Sequence, residues 1–108
     1  MAAQVNLARP RDQAARCLVE RQNAASYPWG VSPGYTSTET YDDTVYLTQW
    51  FFLKRGMTWT TRLALHPIGE GATQVEVLLP VEYSASEHYL RAALEVIARC
   101  QPASASAK

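Results

Sequence analysis

The residues with the greatest chemical reactivity in this sequence are its two cysteines, Cys17 and Cys100. Two cysteines this far apart do not match the ligand spacing of a zinc site. No Cys-X-X-Cys spacing indicates a redox-active pair either. They form a disulfide bond with each other, or they remain two reduced, buried thiols that act as small hydrophobic residues. The outcome depends on whether the fold brings the two side chains together.

No other group of side chains in the sequence predicts catalysis. His66 is expected in a turn and His88 in the first turn of a helix, so both are predicted to be exposed and idle. Asp42-Asp43 is typical of a hairpin turn rather than of a metal site, and Ser84 is accounted for by helix capping. The glycines of 69–71 precede a predicted strand, whereas a phosphate-binding loop leads into a helix. We therefore predict no catalytic residue, no metal, no cofactor and no enzymatic activity.

Composition restricts the class of protein and of partner. The chain has 108 residues, of which 47% are hydrophobic and 19% charged, so a single globular domain is expected. Lysine plus arginine equals aspartate plus glutamate at 10 each, which gives a formal net charge of 0. Nucleic-acid-binding domains carry a basic excess, so we predict no nucleic-acid partner. No apolar run has the length of a transmembrane segment.

The segment Thr44–Val81 organises the predicted fold, because its pattern indicates three consecutive strands. Thr44–Leu53 is rich in β-branched and aromatic residues, as strands are. Lys54-Arg55-Gly56 predicts a three-residue hairpin loop, and the turn residues of 66–72 precede an alternating strand over Thr73–Val81. The apolar alternation predicts a register for the first hairpin that pairs Val45 with Leu65, Leu47 with Leu63, Phe51 with Trp59 and Leu53 with Met57.

A helix is predicted on each side of these strands in sequence. Pro10 suits the first turn of a helix, which we expect to run from Pro10 to about Ala25. Ser84 and Glu87 have the spacing of a capping box. The helix that follows carries apolar residues at helical spacing as far as Cys100.

These elements define one domain over residues 10–101. Residues 1–9 show no clear period and are predicted to be a flexible N-terminus, and residues 102–108 a disordered tail. Tyr35–Tyr41 alternates polar residues, which favours a fourth strand at the sheet edge. The predicted fold class is an α+β two-layer sandwich: an antiparallel four-stranded meander sheet with the N-terminal and the C-terminal helix packed on one face.

This arrangement favours a Cys17–Cys100 disulfide. Both cysteines fall on the apolar sides of their helices, and two helices that cover one sheet face lie about 10 Å apart. Their facing side chains then meet, and the bond ties the weakly apolar first helix to the last one. Two buried, reduced cysteines remain the alternative.

The other sheet face carries the predicted interaction residues. Tyr46, Trp50, Phe52 and Arg62 are expected to face away from the helices. Clustered aromatic and arginine side chains often mark a contact site. The alternative is that the loop around Trp29 or the N-terminus folds over this face. A second predicted site is a ligand-binding loop formed by Tyr27, Trp29 and Tyr35.

Three short motifs carry a family resemblance: Ala15-Arg16-Cys17-Leu18, Gly71-X-Thr73-X-Val75-X-Val77 and Ala98-Arg99-Cys100. Over residues 10–101 the chain resembles small exported two-cysteine αββββα domains of proteobacteria, most of them hypothetical proteins without an assigned activity. The resemblance implies a periplasmic or secreted location and a two-layer architecture. It implies no catalytic residue.

Two locations are consistent with the start of the sequence, because residues 1–4 lack the features of a secretory signal. The protein is cytoplasmic with free thiols, or it is periplasmic or secreted and its signal was removed ahead of Met1. We expect the second, and with it an exported, disulfide-stabilised, non-enzymatic interaction domain. Its partner is an unidentified protein or a second copy of the chain. The alternative function is a carrier of small apolar ligands, with a site between the sheet and the 27–35 loop.

Overall fold

The computed structural model describes residues 3–24, 33–53, 56–79 and 86–102. In these ranges the chain forms five strands in one antiparallel sheet, ordered β1-β5-β4-β3-β2, and two helices. The predicted α+β class, with a sheet in one layer and the two helices in the other, is confirmed. The elements in chain order are β1 Ala3–Leu7, α1 Arg11–Ala24, β2 Pro33–Tyr41, β3 Thr44–Leu53, β4 Gly56–Pro67, β5 Thr73–Leu78 and α2 Ser86–Arg99.

The core lies between the sheet and the two helices. Side chains alternate along a strand, so every second residue of the sheet faces the helix layer. From α1 the core receives a thin row, Ala14 and Leu18, followed by the polar but buried Gln22. Full burial of one leucine contributes about 2 kcal/mol, so α1 depends on its neighbours more than α2 does. The remaining buried apolar residues of this layer are Leu7, Val45, Leu47, Leu63, Leu65, Val75, Val77, Ala93, Val96 and Ile97.

The structure corrects the prediction of a flexible N-terminus. Ala3–Leu7 is β1, an edge strand that pairs antiparallel with β5, with Val5 opposite Val75 and Leu7 opposite Thr73. Leu7 is fully buried, and Val5 packs against the core. Five residues that alternate Ala, Val and Leu with polar residues are too short to distinguish from coil by pattern. The strand exists because β5 offers it a partner, and it raises the sheet from four strands to five.

The register of the β3–β4 hairpin is partly as predicted. Val45 pairs with Leu65 and Leu47 with Leu63, which confirms the predicted pairs at the open end. A register shift follows Gln49, so the predicted pairs Phe51–Trp59 and Leu53–Met57 are wrong. The pairs found there are Trp50 with Trp59, Phe51 with Thr58, Phe52 with Met57 and Leu53 with Gly56.

Thr60 is the extra residue of this β-bulge. The pairing of Leu53 with Gly56 leaves two residues for the loop instead of three. A two-residue loop shifts the register by one, which without a bulge would turn Leu63 away from the core. The bulge absorbs the shift, so that both the tight hairpin and the buried leucine pairs are kept.

The polar edge strand predicted over Tyr35–Tyr41 is confirmed, although it begins two residues earlier, at Pro33. Tyr41 pairs with Thr44, so Asp42-Asp43 forms the two-residue turn that the sequence predicted. Asp42 adopts a positive φ of 55°, a conformation that aspartate tolerates better than most residues.

The two helices are joined covalently by the predicted disulfide between Cys17 of α1 and Cys100, which directly follows α2. The bond spans 83 residues of sequence, and the two Cα atoms are 5.9 Å apart. Cys100 is fully buried. Next to it, Arg9 donates its Nε–H to the Cys100 carbonyl. Gln101 Nε2 donates to the Asn6 carbonyl at 2.8 Å, so the segments that flank β1 and α2 lie together.

Candidate binding cleft on the outer sheet face

The outer sheet face is the one opposite the helix layer. The register aligns its side chains in rows across the strands: Glu39, Tyr46, Ala64, Glu76 and Gln4 form one row. Ser37, Thr48 and Arg62 form the next row toward the β3–β4 loop, and Tyr41, Thr44 and His66 the next row in the other direction. The rows bring residues from distant parts of the sequence to within side-chain reach of one another.

The centre of this face is buried, whereas its edge at β2 is exposed. Ala64 and Thr48 are only 1% exposed although they point away from both helices. Their longer neighbours, Tyr46 and Arg62, are half-buried. By contrast, Tyr41 is 62% exposed at the edge of the sheet. The face therefore combines a packed centre with an open aromatic rim.

A cleft of about 360 Å³ lies on this face, lined by Glu39, Tyr41, Tyr46 and Arg62. Clefts of this size are at the small end of the range for ligand sites. The lining residues come from three adjacent strands, β2, β3 and β4. The rigid sheet therefore sets their relative positions.

Arg62 is held in place by two neighbours. Its Nε–H donates to Thr48 Oγ1 at 3.0 Å, and its guanidinium carbon lies 4.6 Å from the centre of the Trp59 ring. The bulge at Thr60 makes this stack possible, because it brings Trp59 to the same side of the sheet as Arg62. No carboxylate in the described part of the chain lies within ion-pair distance of this half-buried arginine.

The opposite wall of the cleft is formed by two tyrosines and a glutamate. The Tyr41 hydroxyl donates to Glu39 Oε2 at 3.2 Å. The Tyr41 and Tyr46 rings meet edge to face, with centres 5.9 Å apart. Glu39 therefore accepts a hydrogen bond from Tyr41 and forms no ion pair with Arg62.

The predicted interaction residues lie in two places relative to this cleft. Tyr46 and Arg62 line it. Trp50 is half-buried one row further along, where its indole N–H donates to Ser37 Oγ at 2.9 Å. Phe52 belongs to β3, but its side chain is outside the description. Sequence reasoning missed Glu39 and Tyr41, because only the pairing of β2 with β3 brings them beside Tyr46. The alternation in β2, combined with that pairing, is the signal that could have found them.

The predicted ligand loop cannot be placed beside the cleft. Tyr27 and Trp29 lie outside the described residues, and for Tyr35 only the backbone, in β2, is described. At the neighbouring end of the helix-facing side of the sheet, the described residues are polar. Thr36 Oγ1 lies 3.1 Å from Gln49 Oε1 and 3.5 Å from Gln22 Oε1, and both glutamines are buried. This surrounding does not favour an apolar ligand.

His66 is not the idle turn residue that the sequence predicted. It lies in β4, where Nδ1 is 3.2 Å from Thr44 Oγ1 and Nε2 is 3.2 Å from Glu76 Oε1. A hydroxyl, an imidazole and a carboxylate in this order match the parts of a hydrolytic triad. Thr44, however, is not among the described residues that line the cleft, and its hydroxyl also lies 3.4 Å from Asp43 Oδ1. We assign these contacts to the cohesion of β3, β4 and β5.

Comparison of the chain with protein-family models, with curated proteins and with solved structures finds no match. Across the described ranges, neither helix is long and apolar enough to cross a membrane. The same ranges contain no group of three or more potential metal ligands among His, Cys, Asp and Glu.

Proposed function

We propose that this protein is an exported, disulfide-stabilised, non-enzymatic domain that binds a protein partner, or a second copy of itself, through its outer sheet face. The observation that carries the proposal is the cleft of Glu39, Tyr41, Tyr46 and Arg62. Tyrosine and arginine are enriched at protein interfaces and among the residues that dominate their affinity. Here they are clustered and held by neighbours, so little side-chain entropy is lost on contact.

The rest of the surface is consistent with this assignment. The most exposed large hydrophobic side chain of the described residues is Tyr41, at the rim of the cleft. Tyr46 and Arg62 behind it are already half-buried, as residues at the centre of an interface often are. A partner that covers Tyr41 removes this ring from water and completes the burial of the other two.

The disulfide supports the proposed compartment. Stable disulfides persist in oxidising spaces such as the periplasm and the extracellular medium and are rare in the cytosol. The Cys17–Cys100 bond is therefore consistent with an oxidising compartment. A count of free thiols by mass spectrometry on protein purified without reductant tests this part. No free thiol is expected, and two free thiols would contradict export.

Truncation of the cleft tyrosines tests the interaction. We expect Tyr41→Ser and Tyr46→Ala to weaken self-association, or binding of the partner identified by cross-linking, by about thirtyfold for a dominant contact residue. Sedimentation velocity measures the first and titration with the purified partner the second. Ile68→Ser is the matched control, because Ile68 is 44% exposed in the β4–β5 connection, away from the cleft.

Thermal unfolding of each variant completes this test. The proposal requires Tyr41→Ser to leave the melting temperature close to that of the Ile68→Ser control, because Tyr41 is largely exposed. Association that is equally strong in Tyr41→Ser and in the control contradicts an interface at this face. So does a loss of association that simply follows a loss of folded protein.

A further inference from the structure

We infer that the cleft recognises the free C-terminal carboxylate of a peptide or protein partner, and that Arg62 is the residue that binds it. This inference rests on the proposed function, because it names the chemistry of the partner at the same site. The observation behind it is a half-buried arginine that its neighbours hold in position and that forms no ion pair with any described residue.

Within the described part of the chain, the position of Arg62 leaves its two terminal nitrogens available for a carboxylate. A guanidinium has five N–H donors in a fixed plane. The Nε–H is used on Thr48, and the aromatic face of Trp59 lies against the planar group. The two terminal nitrogens have no hydrogen-bond partner within the described part of the chain. Two parallel N–H donors match the two oxygens of a carboxylate.

The half-buried position of Arg62 on the Trp59 ring favours a bound anion. An arginine that leaves bulk water is normally paired, because an unpaired charge in a partly dry site is costly. Among the residues that the structure describes, Arg62 contacts a neutral hydroxyl and an aromatic ring and no carboxylate. A bound carboxylate supplies the missing counter-charge, and the strands keep the side chain ready for it.

Glu39 selects for a single negative charge. This carboxylate lines the same cleft and already accepts from the Tyr41 hydroxyl. A phosphate, with nearly two charges, or a run of acidic side chains is repelled by it. A C-terminal residue carries one carboxylate and, next to it, a backbone N–H that can donate a hydrogen bond to Glu39. The cleft therefore fits a chain end better than an internal acidic segment.

The size of the cleft limits how much of the partner enters. Its volume of about 360 Å³ is at the small end of the range for ligand sites. A cleft of this size suits one terminal residue of the partner better than a long segment. The Tyr41 and Tyr46 rings form one wall, so we expect a neutral, aromatic or large aliphatic last side chain.

Three small probes separate the possible ligands. N-acetylphenylalanine mimics the last residue of a chain, N-acetylphenylalaninamide differs from it only in lacking the charge, and free phenylalanine adds an ammonium group. Each is titrated into the intact, disulfide-bonded protein, and binding is followed by ¹⁵N–¹H chemical-shift changes. We expect the acid to shift the signals of Tyr46, Arg62 and their neighbours, and the amide to bind at least about tenfold more weakly.

Two substitutions of Arg62 and a matched control identify the binding group. Arg62→Gln should lower the affinity for N-acetylphenylalanine about tenfold or more, and Arg62→Lys should restore it only in part, since lysine keeps the charge but not the planar pair of donors. Arg99→Gln removes the same charge from the exposed surface of α2 and should leave binding unchanged. Equal weakening by Arg62→Gln and Arg99→Gln would mean that only net charge matters, and would overturn the inference.

The remaining outcomes distinguish this inference from the proposed function. Equal binding of acid and amide refutes carboxylate recognition, while a partner lost in Tyr41→Ser still supports an interface on this face. Equal or tighter binding of free phenylalanine refutes a peptide terminus and assigns the cleft to a free amino acid. No binding of any probe refutes the inference, and the tyrosine variants then decide the proposed function on their own.

Discussion

Removal of the disulfide is the perturbation whose effect follows most directly from the fold. Cys17 and Cys100 join the two helices across 83 residues of sequence. A cross-link of this span lowers the entropy of the unfolded chain, and the folded chain already holds the two Cα atoms 5.9 Å apart. Three variants separate this effect from packing: Cys17→Ala, Cys100→Ala and the double variant.

The expected magnitude comes from the length of the closed loop. In the chain-entropy relation, a span of 83 residues corresponds to a loss of about 15 cal/mol/K from the unfolded state, or about 4.5 kcal/mol at 25 °C. Domains of this size are stable by only about 5–15 kcal/mol. Loss of the bond therefore removes a large part of the free energy of unfolding and brings the protein near the limit of stable folding.

Urea unfolding of all four proteins under non-reducing conditions measures the effect. We expect each single variant to lose about 4.5 kcal/mol and the double variant to lose nearly the same, because either substitution already opens the loop. The corresponding drop in the urea midpoint is roughly 2–4 M. A buried Sγ atom of Cys100 adds a smaller packing loss in the variants that lack it.

Two results would refute this reasoning. The first is a loss under about 1 kcal/mol in every variant, which would mean that the helices hold together without the bond and that the unfolded chain is compact. The second is a double variant whose loss is the sum of the two single losses. Additivity would mean that the cysteines act as independent packing residues rather than as one cross-link.

Two further predictions concern single side chains. Thr60→Val should leave the free energy of unfolding unchanged or raise it, because the buried Thr60 hydroxyl has no hydrogen-bond partner among the described residues. Thr73→Val should lower the free energy of unfolding by about 1 kcal/mol, since Thr73 Oγ1 donates to the Arg9 carbonyl at 2.8 Å. Urea unfolding measures both variants, and equal effects of the two substitutions would contradict this difference. Asp42→Gly should be neutral or stabilising and Asp42→Ala should cost about 1 kcal/mol, because Asp42 has a φ of 55°. Thermal unfolding compares them, and a more stable alanine variant would show that the turn relaxes.

Pattern predicted the parts of the fold that contrast strongly with their surroundings. The alternation of Val45, Leu47, Leu63 and Leu65 predicted both the strands and the register at the open end of the hairpin, because a slip of β4 by one residue would turn its two leucines away from the core. The same reasoning paired the two cysteines, because one sheet face needs both helices to cover it. In each case only one arrangement buries a large area of apolar surface.

The sequence pattern did not predict features that depend on a balance between small contributions to the folding free energy. β1 has five residues and little local preference, and only its pairing with β5 decides its state. The bulge at Thr60 follows from a conflict between the two-residue loop and the leucine register, and neither feature alone reveals it. For the same reason, only two of the four described residues that line the cleft were predicted. Tyr46 and Arg62 follow from strand alternation, whereas Glu39 and Tyr41 need the partner strand to be aligned.

The contacts between the β1 and α2 flanks have a consequence for how the domain can be attached to other structures. Gln101 bridges to the backbone of Asn6 and Ala8, so the segment that follows α2 is held against the β1 edge of the sheet. β1 forms the sheet edge opposite β2, and β5 separates it from the strands that hold the cleft. A fusion partner or a surface-immobilisation tag attached after Gln101 is therefore joined to the domain beside β1, with β5 between it and the strands of the cleft.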